Sequence, residues 1–186
     1  MHKYVIALLS SVVLTLATLA LAEEASTRVD RMQALYLVSF FKFVRWPASQ
    51  PADPLTVCFL RASAVFGVMQ EGISQQQPWA QIRNHTVRVR LLADPSATEG
   101  CHTLYLDAET AAAEWENISQ RPALLTVSDM DGFAALGGMI QLRIEGGQLH
   151  FICNKTRIDN SGIVIGAALA RLADRLESER KRAGGS

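Results

Sequence analysis

Three cysteines, Cys58, Cys101 and Cys153, and two closely spaced acids, Asp129 and Asp131, are the side chains of this 186-residue chain best suited to chemistry. In an oxidising compartment thiols that meet in the fold pair, and three leave one over. No Cys-x-x-Cys occurs, which argues against a thioredoxin-type redox centre. His102 adjoins Cys101, yet no Cys/His spacing has the form of a zinc motif, so no metal site is expected. Asp129 and Asp131 follow a buried run, Ala123 to Val127, that reads as a strand of a parallel sheet. Open α/β sheets collect ligands at such strand ends, and two acids there can hold a cation or orient a ligand. They serve equally well as a helix cap and a turn residue. Ser63, Ser128, Asp129 and Asn154 all fall near predicted strand ends, where a polar-lined pocket for a small molecule would form. His85, His102 and His150 are spread over different elements with no shared motif, and none takes a catalytic role.

Other chemistries lack their signatures. There is no Gly-x-Ser-x-Gly nucleophile turn, no phosphate-binding P-loop, no Gly-x-Gly-x-x-Gly and no His-Glu-x-x-His. Gly137-Gly138 sits between Phe133 and a strand with no basic neighbour, so it reads as a turn leading into that strand. No enzyme and no cofactor are expected. The charge balance, 18 basic against 18 acidic residues, leaves no basic footprint for nucleic acid. With 49% hydrophobic residues the chain has ample material for a core.

The elements that would position these groups follow from pattern. Met1-His2-Lys3, an apolar run from Val5 to Leu19, then Ala20-Leu21-Ala22 before two glutamates have the layout of a secretory signal peptide over residues 1–22. Residues 23–186 would then be one exported domain. From Val29 apolar residues recur at helical intervals until Pro47 stops the helix. Strands are expected at Leu55–Leu60, Val87–Leu91, His102–Leu106 and Ala123–Val127, with helices at Val65–Ile73 and Ala108–Ile118 between them. Met139–Ile144 and Gln148–Cys153 flank Glu145-Gly146-Gly147 as a hairpin. Gly162–Ile165 is a short extended piece, and Ala167–Arg182 a closing helix. The fold class is therefore α/β: a single domain with a mixed β-sheet flanked by helices, a C-terminal hairpin and a closing helix.

The first helix carries more aromatics than one buried stripe requires. Phe40 and Phe41 are about 100° apart around its axis, so one seam does not take both. Either the helix is buried on two sides, or Phe40, Phe41 and Trp46 belong to a surface that meets a second copy or a partner.

Ala34-Leu35-Tyr36-Leu37 through Phe40, then Lys42-Phe43-Val44-Arg45-Trp46-Pro47, resembles the first-helix signature of the YfiR family of exported proteins. The order continues with Cys58 in the first strand, Cys101 in a later one, and Leu125-Thr126-Val127-Ser128-Asp129 before Phe133. Gly137-Gly138-Met139-Ile140, Phe151, Asn154 and a last helix with Leu169 and Leu172-Ala173 complete it, from about Met32 to Ala173. The resemblance implies a periplasmic, often dimeric α/β protein that represses an inner-membrane diguanylate cyclase through its periplasmic sensor region. Repression would lower cyclic di-GMP and biofilm formation. It also implies a disulfide between Cys58 and Cys101. A soluble periplasmic binder of a small molecule is the alternative reading. Three positions depart from the pattern: Arg61 replaces a glycine after the first strand, Ile152 an acidic residue, and Cys153 an apolar one.

Overall fold

Alternation along single strands sets the layers of this molecule. In the strand Thr103–Leu106, Leu104 and Leu106 join one apolar cluster, while Tyr105 joins another on the opposite face. Val57 and Phe59 likewise face away from Cys58. Strands buried on both faces need helices on both sides, and the chain supplies them.

The computed structural model describes residues 2–50, 53–118, 122–173 and 175–177, with side chains described between residues 23 and 173 of those stretches. Helix α1 (His2–Phe43) is followed by β1 (Val44–Arg45), β2 (Leu55–Phe59) and α2 (Ala64–Ser74). A 3-10 turn at Pro78–Ala80 leads to β3 (Gln81–Ile82), β4 (His85–Leu91), β5 (Thr103–Leu106), α3 (Ala108–Ile118) and β6 (Leu125–Ser128). The hairpin β7 (Ile140–Glu145) and β8 (Gln148–Asn154) precedes α4 (Lys155–Asp159), β9 (Val164–Ile165), α5 (Ala167–Leu172) and β10 (Arg175–Glu177).

The main sheet has the order β10-β8-β7-β6-β5-β2-β4-β3. Strands β4, β2, β5, β6 and β7 are parallel neighbours, whereas β7–β8 and β3–β4 are antiparallel. Within the parallel set the chain order is second, first, third, fourth, fifth, which makes a doubly wound sheet whose order reverses between β2 and β5. Helices α1 and α2 contribute Leu37, Phe40, Val65 and Met69 to the cluster on one face. Helix α3 places Ala111, Trp115 and Ile118 on the other, around Leu104, Leu106 and Phe133. The expected α/β domain with a mixed sheet, flanking helices and a C-terminal hairpin is the observed architecture.

Two expected boundaries are corrected. The first helix ends at Phe43, before Trp46-Pro47, because Val44 and Arg45 pair antiparallel with Ile165 and Val164. The Gly166 N–H donates to the Phe43 carbonyl at 2.7 Å, and a Cβ on Gly166 would sit 3.1 Å from that oxygen. The closing helix, expected through Arg182, stops at Leu172, where Ala173 turns extended. Residues 175–177 then pair parallel with β8, covering what would otherwise be an open edge. Residues 178–182 of that expected helix lie outside the described residues. The expected export segment, 1–22, is described only as helical backbone, without side chains.

Candidate functional site

The C-terminal ends of β5 and β6, where doubly wound sheets place their ligands, are occupied by a polar chain of this protein's own side chains. Tyr105 donates its hydroxyl to Gln33 Oε1 at 3.1 Å, and Gln33 Nε2 donates to Asp129 Oδ2 at 3.1 Å. Tyr105 and Gln33 are buried, so these bonds satisfy groups that water does not reach. Burial, and then the Asp129 charge, hold the Tyr105 phenol well above its usual range. Asp30, one helical turn before Gln33, has its carboxyl raised by desolvation and then by Asp129. The cluster therefore fastens α1 across two strand ends. Gln33 does not stand out in the sequence as a site residue; its one signal is a glutamine on the buried stripe of α1, beside Ala34 and Leu37.

The four expected ligand residues are not gathered into one pocket. Ser63 caps α2, its hydroxyl accepting from the Phe66 N–H at 3.2 Å. Ser128 Oγ accepts from the Met130 N–H at 3.0 Å and is fully buried. Asn154 caps α4 through the Arg157 N–H at 2.9 Å and donates to the Ala134 carbonyl at 2.8 Å. Strand register separates Asn154 from Ser128: Ser128 is level with Gln141 and Ile152, and Asn154 lies two residues further along β8. Asp129 alone faces the α1 cluster. At the point of strand-order reversal, exposed Arg61 after β2 and Glu109 in α3 form an ion pair of 3.5 Å across the crevice. Among the described residues no group of His, Cys, Asp and Glu could hold a metal ion.

At the opposite end of the sheet the Trp-Pro signature finds its physical reason. Trp46 donates its indole N–H to the His102 carbonyl at 2.8 Å and packs edge-on against the His102 ring, 5.3 Å between centroids. Phe41 meets both rings. His102 is locked in turn: Thr56 N–H donates to its Nδ1 at 3.1 Å, and its own N–H donates to the Thr56 carbonyl at 3.0 Å. Next to it Cys101 forms the disulfide with Cys58, fully buried, with Cα atoms 5.8 Å apart. Arg90 wraps this corner, donating to the Ala97 and Glu99 carbonyls and to Cys101 Sγ at 3.0 Å. The third thiol, Cys153, is free and buried in the α1-side core, where burial pushes it up to about 12.

Phe40 and Phe41, expected as candidates for a partner surface, are 1% and 3% exposed. The helix is buried on two sides: Phe40 packs against Tyr36 and Phe151, Phe41 against Trp46 and His102. Of the three candidates Trp46 alone is partly exposed. Gly137-Gly138 serves the turn into β7. Gly137 has φ +95°, and a Cβ on Gly138 would lie 2.2 Å from the Phe133 ring, so that ring packs directly on the backbone.

A solved structure similar to this chain is a conserved domain protein from Vibrio cholerae O1 biovar El Tor strain N16961. It is 12% identical, with a TM-score of 0.43 over 67% of this chain. The chain spans 55% of that protein's length. No curated protein matches. The family model described as YfiR/HmsC-like, DUF4154, matches residues 30–174. That span reaches from Asp30 of the strand-end cluster to the end of α5, taking in the Trp46–His102 corner and the disulfide, and the chain belongs to the YfiR/HmsC-like family.

Proposed function

We propose that this protein is a periplasmic repressor that binds the periplasmic sensor region of an inner-membrane diguanylate cyclase, lowering cyclic di-GMP and biofilm formation. The family match over residues 30–174 carries the reading, since the YfiR-like family supports a periplasmic regulator of diguanylate cyclase signalling. Residues 1–22 act as the signal peptide that delivers the domain, and the working form is a homodimer. Within residues 23–173, where side chains are described, no helix is long and apolar enough to cross a membrane.

The physical requirement on such a repressor is modest. It must bind the inactive conformation of its target more tightly than the active one. A tenfold drop in activity needs about 1.4 kcal/mol of differential binding. Rigidity favours this, because a surface that is already ordered loses little entropy on docking. The buried disulfide and the Trp46–His102 lock stiffen one end of the sheet, and partly exposed Trp46 with exposed Arg45 is the surface proposed to meet the partner.

Affinity capture from solubilised membranes of the host, read by mass spectrometry, tests this reading. Recovery of a membrane protein carrying a diguanylate cyclase domain is the expected result. Recovery of the protein alone, under oxidising and reducing conditions alike, contradicts it. A second reading, a periplasmic small-molecule binder, is favoured by a cavity away from the strand ends.

A further inference from the structure

Between α1, β8 and α5 lies a half-open cavity of about 480 Å³. Its wall is an aromatic triad: Tyr36, Phe40 and Phe151 meet edge to face, with ring centroids 6.3, 6.1 and 5.8 Å apart. The Tyr36 hydroxyl donates to the Leu149 carbonyl at 3.1 Å, which fixes the ring that anchors the triad. Phe43, Leu169 and Leu172 complete the apolar lining, and Leu172 stands 64% exposed at the rim. Half-buried Ser39 and His150 are the polar side chains on the wall besides Tyr36, and no Lys, Arg, Asp or Glu takes part.

The size lies within the range of small-molecule sites, roughly 300–1,000 Å³, and the mix of mostly apolar wall with a few polar groups is their usual make-up. The chemistry selects the guest. A charged group buried against this wall would lose water with no Lys, Arg, Asp or Glu there to offset the loss. Ring edges and faces offered by the triad suit another ring, and the Ser39 hydroxyl suits a single donor or acceptor. The crevice where doubly wound sheets hold ligands differs in chemistry, being flanked by the exposed Arg61–Glu109 pair and the polar Tyr105–Gln33–Asp129 chain. A cavity of about 410 Å³ between α1 and α2 differs in kind, being rimmed by Arg31 and Glu71. We infer that the α1–β8–α5 cavity is a binding site for an uncharged, ring-bearing small molecule with one hydrogen-bonding group. This goes beyond the repressor reading and holds or fails independently of it.

The test uses the purified protein and N-phenyl-1-naphthylamine, an uncharged fluorescent probe made of rings and one N–H. The expected result is saturable binding at one probe per chain with a blue-shifted emission. Ser39→Trp, which fills the cavity, and Leu172→Asp, which places a charge at the exposed rim, each weaken binding at least tenfold. Circular dichroism melts check that both variants stay folded, and the rim substitution, at an exposed position, covers the case in which the filled variant does not. Absence of saturable binding, several weak sites per chain, or equal binding by both folded variants overturns the inference. So does loss of probe binding as the protein self-associates with rising concentration, which would make a second copy the occupant.

Discussion

The indole N–H of Trp46 and the carbonyl of His102, 2.8 Å apart, tie the segment just after β1 to the residue beside the buried disulfide. One bond thus joins a residue from the first helix's sequence signature to the segment that carries Cys101 into β5. Replacing the indole by a phenyl ring keeps most of the packing and removes the donor. Trp46→Phe is expected to lose about 1 kcal/mol, the net worth of one hydrogen bond, because the His102 carbonyl keeps the Leu125 N–H at 3.0 Å. Urea unfolding of the two proteins measures it.

The bridge between Cys58 and Cys101 closes a sequence separation of 43 residues. Loop-closure entropy over that length corresponds to about 4 kcal/mol of stability. The double variant Cys58→Ser/Cys101→Ser should show a loss of that order, and dithiothreitol should destabilise the wild type but not the variant. Both proteins are compared by denaturant midpoint with and without reductant.

Gly138 has no room for a methyl group, because its Cβ would enter the Phe133 ring at 2.2 Å. Gly138→Ala should therefore cost about 1–3 kcal/mol through overpacking. Phe133→Leu, made in that background, should cost less than it does in the wild type, giving a coupling of about 0.5–3 kcal/mol. Thermal melts of the four proteins supply the cycle.

Asp30 titrates with a carboxyl raised by desolvation and by Asp129. The folded state then holds a proton that the unfolded state has already released, so its stability falls as pH rises from near 3.8 through the raised value. Asp30→Asn lacks that dependence. The variant should gain on the wild type as pH climbs across this window and keep its advantage at neutral pH. Urea midpoints of both proteins from about pH 3 to 7 give the difference curve, in which the contributions of groups remote from Asp30 cancel.

Cys153 is buried, and its thiol is pushed up to about 12. Reaction with thiol reagents requires a thiolate in contact with solvent. Native protein at pH 8 is expected to release no thionitrobenzoate from Ellman's reagent on the minutes scale. One equivalent per chain should appear once guanidinium unfolds it without reductant.

Long, strongly patterned elements are legible in the sequence. The alanine cluster around Trp115 marks a helix at Ala108–Ile118, which is where α3 lies, and the Gly146-Gly147 break marks the β7–β8 hairpin. What escapes are elements too short for a period to show. The two-residue strand β1 exists through backbone pairing with distant β9, β3 through a tight turn onto β4, and α4 depends on its Asn154 cap, whereas β9 falls within the extended piece expected at Gly162–Ile165. The site is less legible than the fold. Serines and an asparagine near strand ends look alike in sequence whether they bind a guest or cap a helix, and Ser63 and Asn154 are caps. Two-sided burial of Phe40 and Phe41 depends on β8 on one flank and His102 on the other, which no local pattern in α1 encodes.

Restraint of a diguanylate cyclase is the activity proposed for this protein. Deleting the gene in its own host and measuring intracellular cyclic di-GMP by mass spectrometry, with and without a plasmid copy, tests it most directly. A rise on deletion and a return to the original level on complementation are the expected results. Cyclic di-GMP unchanged by deletion across growth conditions would contradict it.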